Sequence, residues 1–138
     1  MLRAGVRFVA AALMLAAAAC QSPERQLMRQ LEQGRTSVLP CAEQLHDSAD
    51  EFRDCIRYRA GLARNPEQRL GALFYGWVVA DSAAMFSVPE AEPVAAQLAR
   101  EAESLRRQLA IDDGPLCRLA EAPCPRLQAR RASALKPE

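Results

Sequence analysis

The stretch from Pro66 to Phe86 constrains this chain more than any other. Leu70, Leu73, Phe74, Trp77, Val78 and Met85 mark one side of a 3.6-residue repeat, and Tyr75, Val79, Ala83, Ala84 and Phe86 widen it until few polar positions remain. A helix that is apolar nearly all round must be covered by other elements. Asn65-Pro66-Glu67-Gln68 opens it with an N-cap, a proline at the first helical position and Gln at the third. Residues 66–86 are thus the expected central helix of a core, with Trp77 buried. Gly71 and Gly76 each cost about 1 kcal/mol relative to Ala inside a helix. They are expected where a neighbouring backbone comes close.

The covering elements have the same period. Ser22-Pro23-Glu24 reads as a helix start, Leu27, Met28 and Leu31 form a narrow stripe, and Gly34 is the expected stop. Leu45, Ala49, Phe52, Ile56 and Ala60 are spaced as a helical face, and the capping box Ser48-Ala49-Asp50-Glu51 starts the regular helix at Ser48, leaving residues 40–46 as a separate short turn. Ser87-Val88-Pro89-Glu90 is expected to cap a fourth helix with a buried stripe of Val94, Leu98, Ala102, Leu105 and Leu109. Glu103 and Arg107 are placed on its outer faces as an i,i+4 pair. Asp112-Asp113-Gly114-Pro115 reads as the closing turn, and from Leu116 onward the prolines at 115, 123 and 125 forbid a long helix. Residues 126–138 carry a net charge of +3 and only two leucines, so a basic, flexible tail is expected. No segment alternates as a strand would. The fold class expected is all-α: a small antiparallel bundle of three main helices plus a short N-terminal helix, with two disulfides.

The N-terminus is of another kind. Arg3 and Arg7 precede an uncharged run from Phe8 to Ala19, the layout of a signal peptide. A spanning helix needs about 20 apolar residues, and this run has 12 before Cys20 and the polar Gln21-Ser22-Pro23-Glu24-Arg25. Ala17-Ala18-Ala19-Cys20 resembles a bacterial lipobox, in which small residues precede a cysteine that is diacylated, becomes the mature N-terminus and is N-acylated. Ala17 stands where that family usually has Leu, so cleavage after an Ala-x-Ala motif is the alternative. The resemblance covers about the first 20 residues. It implies a leader at 1–19, a lipid-anchored helical domain at 20–125 and the tail at 126–138. Gln21 follows the cysteine in place of the Asp that marks inner-membrane retention, which implies the outer membrane, with the protein on its periplasmic leaflet. More than one acyl chain holds a soluble domain on a bilayer, at about 0.8 kcal/mol per buried methylene.

With Cys20 assigned to lipid, Cys41, Cys55, Cys117 and Cys124 remain, an even number for an oxidising compartment. Cys41, His46 and Cys55 follow no zinc spacing, and Cys117 and Cys124 are too far apart for a zinc knuckle, so no metal is expected. On one straight helix Cys41 and Cys55 would lie about 21 Å apart, whereas a bridge needs Cα atoms within roughly 7 Å. A break at His46-Asp47 lets them meet. The expected map is Cys41 with Cys55 and Cys117 with Cys124. The nested map, Cys41 with Cys124 and Cys55 with Cys117, competes if the C-terminal segment runs back along the second helix.

Beyond the leader the chain has 16 basic and 17 acidic side chains, so no nucleic-acid partner is expected. His46, the one histidine, reads as a turn residue, and no cofactor or enzymatic activity is expected. Asp47, Asp50, Glu51 and Asp54 cluster on one short helix; they read as a solvated acidic face, or as a surface for a basic partner. In general plan, though in no shared motif, the chain is similar to the pilotins that guide secretins to the outer membrane. That implies a non-enzymatic binding or assembly module for another envelope protein. The alternative is an inhibitor or regulator of a periplasmic enzyme such as a cell-wall hydrolase.

Overall fold

Three of the expected helix starts carry their side-chain caps. Ser22 Oγ accepts the Arg25 N–H at 3.2 Å, Ser48 Oγ that of Glu51 at 3.3 Å, and Asn65 Oδ1 that of Gln68 at 2.9 Å. They open α1 (Pro23–Val38), α2 (Ala49–Gly61) and α3 (Pro66–Phe86) in the computed structural model, which describes residues 22–137. A 3-10 segment, Leu39–His46, joins α1 to α2, and another, Pro89–Ala91, leads into α4 (Glu92–Leu109). Two shorter helices, α5 (Asp113–Ala120) and α6 (Cys124–Ala134), complete the chain, and no strand occurs among the described residues. The fold is the all-α bundle that the periodicity predicts. The leader and Cys20 lie outside the described residues.

α3 is the axis, touched by α1, α2, α4 and α5. Its Leu70, Ala72, Leu73, Phe74, Trp77 and Ala80 are buried together with Phe52, Ile56 and Ala60 of α2 and Val94, Leu98, Ala99 and Ala102 of α4. Each large side chain among them contributes about 1.5–3 kcal/mol when fully buried. Trp77 is 2% exposed, with its ring centroid 5.5 Å from that of Phe74. α2 runs antiparallel to α3, Ile56 lying at Gly76 and Ala60 near Leu73. α4 is also antiparallel to α3, whereas α1 runs parallel to it, with Leu31 at Gly71 and Val38 near Gly76 and Val79.

Several boundaries differ from expectation. Gly34 does not stop α1, which continues to Val38; a Cβ there would overlap the Gln68 carbonyl oxygen and lie 2.9 Å from the Ala72 nitrogen. Gly71 receives the backbone of Leu31 in the same way, while Gly76 makes room for the side chain of Ile56. Met85 and Phe86, read as part of the apolar face, are exposed, Phe86 by 78%; Met85 lines an open cavity with Glu92 and Pro93 of α4 and Ala134 of α6. Ser87 does not cap α4 but closes α3, its N–H bonding Ala83 O at 2.9 Å, and Pro93 at the start of α4 sets the α-helical register from Glu92. α4 ends earlier than the Asp112–Pro115 turn, at Ala110 in the left-handed region, and Asp112 and Pro115 belong to the start of α5.

The largest difference is the expected tail at 126–138. Most of it is α6, folded back on the body with Leu127 only 5% exposed. Two of its three arginines have partners on other helices: Arg130 grips Asp81 through bonds of 2.6 and 3.0 Å, and Arg131 grips Asp113 at 2.7 and 3.0 Å. Pro123 and Pro125 flank the start of this helix, where a missing N–H costs nothing.

Candidate functional site

The 3-10 segment brings the first cysteine pair together. Asp47 ends it, Ser48 opens α2, and the fold-back leaves Cys41 and Cys55 bridged with Cα atoms 5.7 Å apart. Cys117 and Cys124 are bridged across the α5–α6 corner, with Cα atoms 5.3 Å apart. Both bridges follow the local map, not the nested one. His46 is exposed in the 3-10 segment.

Asp47, Asp50, Glu51 and Asp54 are exposed around the start of α2. Arg53 lies among them, at 3.1 Å from both Asp50 and Asp54, and also donates to Gln97 Oε1 on α4 at 3.2 Å. Part of the cluster's charge is therefore engaged within the chain. The rest favours the positive end of the helix dipole.

An open groove of about 560 Å³ lies elsewhere, between α2, α3 and α4. Ala60, Leu73 and Leu105 give it an apolar floor, and Arg57, Arg69, Arg100, Glu101, Ser104 and Gln108 form its walls. Arg57 and Glu101 pair across it at 2.5 Å. Arg69 and Arg100 are exposed and have no ion-pair partner among the described residues. Two cationic donors over an apolar floor suit a segment that has both an apolar stripe and carboxylates. Sequence reasoning missed this groove because it is assembled from three helices, although Arg57, Arg69 and Arg100 all stand on polar faces of helices whose other faces were readable.

A second polar group that sequence reasoning did not place is internal. Glu103 is buried at 8% exposure and accepts from Arg106 at 2.6 and 2.8 Å and from Arg107 at 3.0 Å, while Arg131 stands 3.7 Å away. The expected pair with Arg107 is present, but Glu103 lies inward and not on an outer face. The Arg106 hydrogen bonds hold its carboxyl below the usual range, against desolvation. Arg131, helped by Gln128 at 2.9 Å, holds Asp113 down to about 2. These charges join α4, α5 and α6. Such a network fastens elements and needs no substrate.

Among the described residues no three metal-ligating side chains converge, and no helix is long and apolar enough to cross a membrane. Comparison with protein-family models, with curated proteins and with solved structures finds no match to this chain.

Proposed function

We propose that this chain is an outer-membrane lipoprotein, anchored through Cys20 and facing the periplasm, that binds another envelope protein without catalysing a reaction. The observation that carries the reading is the α2–α3–α4 groove. Its floor of Ala60, Leu73 and Leu105 offers apolar area, and Arg69 and Arg100 offer charge that no side chain among the described residues neutralises. A partner helix with an apolar stripe flanked by Asp or Glu fits both features. The rigid bundle beneath, closed by two disulfides, keeps the groove formed before the partner arrives, which lowers the ordering cost of binding.

The test is site-specific photocrosslinking in cells. A photoreactive residue at Ser104 should give an adduct with one envelope protein, and the same residue at Glu43, remote from the groove, should not. Reversing the groove charge with Arg69→Glu and Arg100→Glu should remove the Ser104 adduct. An adduct indifferent to the charge reversal, or equally strong from Glu43, would overturn the groove as the binding site.

A further inference from the structure

The bundle has a charge polarity along its axis. At one end lie the first turns of α1, the junction between α2 and α3, and the C-terminus of α4; Asn65 Nδ2 and Gln68 Nε2, each 2.8 Å from Gln30 Oε1, tie the first two together. Arg25, Arg29, Arg64 and Arg69 are exposed there, and none has an ion-pair partner among the described residues. The carboxylates of this end are Glu24, Glu67 and Asp112, and Arg107 adds a further charge at its rim. At the opposite end Glu43, Asp47, Glu51, Glu90 and Glu92 are exposed and likewise have no ion-pair partner among the described residues; the cations of that end are Lys136, exposed near Glu92, and Arg53 and Arg130, which are paired with Asp50, Asp54 and Asp81. Helix dipoles favour the acidic end, where Asp47, Glu51, Glu90 and Glu92 stand at or before the N-termini of α2 and α4, and favour Arg64 just past the C-terminus of α2, but they do not account for Arg25 and Arg69 in the first turns of α1 and α3, where anions are favoured.

The basic end also carries apolar side chains in the open. Leu62, 65% exposed, follows α2 between Arg59 and Arg64, and the exposed Tyr58 stands one turn before it on the same face. Cys20 precedes Ser22 by two residues, a reach of about 7 Å, so a lipid on Cys20 would emerge at this end and not at the acidic one.

We propose that this end of the bundle is a membrane-facing surface that rests on anionic phospholipid headgroups, with Arg25, Arg29 and Arg64 over the phosphates, Leu62 at the headgroup level and Arg69 left to the groove. The inference rests on the anchored reading of Cys20, and it adds an orientation: the acidic end points away from the bilayer and the groove stands on the side. Basic residues near an anionic surface contribute about 1 kcal/mol each, or about fivefold in partition.

The test uses the full chain with Cys20→Ala, so that no acyl chain contributes, in sedimentation with vesicles of pure phosphatidylcholine or of phosphatidylcholine with about 30% phosphatidylglycerol. Binding to the anionic vesicles should exceed binding to neutral ones by about tenfold or more and fall with added salt. Changing Arg25, Arg29 and Arg64 to Gln should lower that preference by about tenfold or more, and Leu62→Ser should weaken it. Asp47→Asn with Glu51→Gln, at the far end, should leave it unchanged. The N-terminal apolar run, with Arg3 and Arg7, is common to every arm, so the arms are read against one another, and circular dichroism checks that each variant is folded. No preference for anionic vesicles, or a preference raised by the far-end variant as much as it is lost in the arginine variant, would overturn the orientation. Palmitate labelling of the unaltered chain tests the anchor separately, so either idea can fail without the other.

Discussion

Gly34 and Gly71 occupy the closest approach of α1 to α3, each giving the other helix's backbone the place of a side chain. In a free helix Ala is better than Gly by about 1 kcal/mol. Here packing wins: Gly34→Ala or Gly71→Ala should each lower stability by about 2 kcal/mol or more in urea unfolding, since neither backbone can retreat alone. Gly61 has nothing within 4 Å of its would-be Cβ, so Gly61→Ala should be neutral or stabilise by about 0.5–1 kcal/mol. Gly71 was legible as a point of close approach because it interrupts an apolar helix. Gly34 was not, because it follows a narrow stripe among polar neighbours, and what gives it its role is Gln68, far along the chain. Trp77 was legible too. Trp77→Ala should cost about 3–5 kcal/mol by chemical denaturation. Its buried Nε1 has no hydrogen-bond partner among the described residues, so Trp77→Phe, which removes that unmet donor along with some volume, should cost clearly less than Ala.

At the scale of elements, α6 is where sequence reasoning and structure part. A count of leucines undervalues a helix whose docking depends on ion pairs with Asp81 and Asp113, neither of which advertises its partner locally. The starts of α2 and α3, by contrast, were legible to the residue because Ser48 and Asn65 act within three positions of themselves. The α5–α6 corner should also be the acid-sensitive part of the molecule. Asp113 is held at about 2, below its ordinary 3.8, by Arg131, so its ionised form stabilises the fold above about pH 4 and that contribution is lost as the pH falls through about 2. Glu103, lowered by Arg106, acts in the same sense. On acidification from about pH 5 to about pH 2, amides of Cys124–Ala134 should lose exchange protection before those of α3, and Asp113→Asn should loosen α6 already at the upper end of that range. Loss of protection in both helices together would mean that α6 is part of the cooperative core. Replacing Cys117 and Cys124 by Ala should likewise loosen α5 and α6 and leave α1 to α4 folded, because this bridge closes only a local loop.

For the molecule as a whole, helical periodicity made the all-α architecture legible, and the spacing of helix caps made the local disulfide map legible. The groove and the charge polarity were not, because each is made by residues that meet only when α1 to α4 are assembled. What joins these surfaces to a place in the cell is the proposed lipid at Cys20, two residues before the helical domain begins at Ser22. So short a tether would hold the bundle against the bilayer, unlike a long disordered linker, whose reach grows with the square root of its length. The headgroup contacts proposed for the basic end are weak alone, since exposed charge is screened over about 8 Å at physiological salt. Residence on the membrane should therefore depend on the acyl chains, with the arginines setting orientation. Cys20→Ala should move the protein from the membrane fraction to the soluble periplasmic fraction and end incorporation of labelled palmitate. The arginine variant with Cys20 intact should stay membrane-bound and keep its label. Full membrane retention of the Cys20→Ala protein, resistant to high salt, would show that something other than a lipid on that cysteine holds the domain in place.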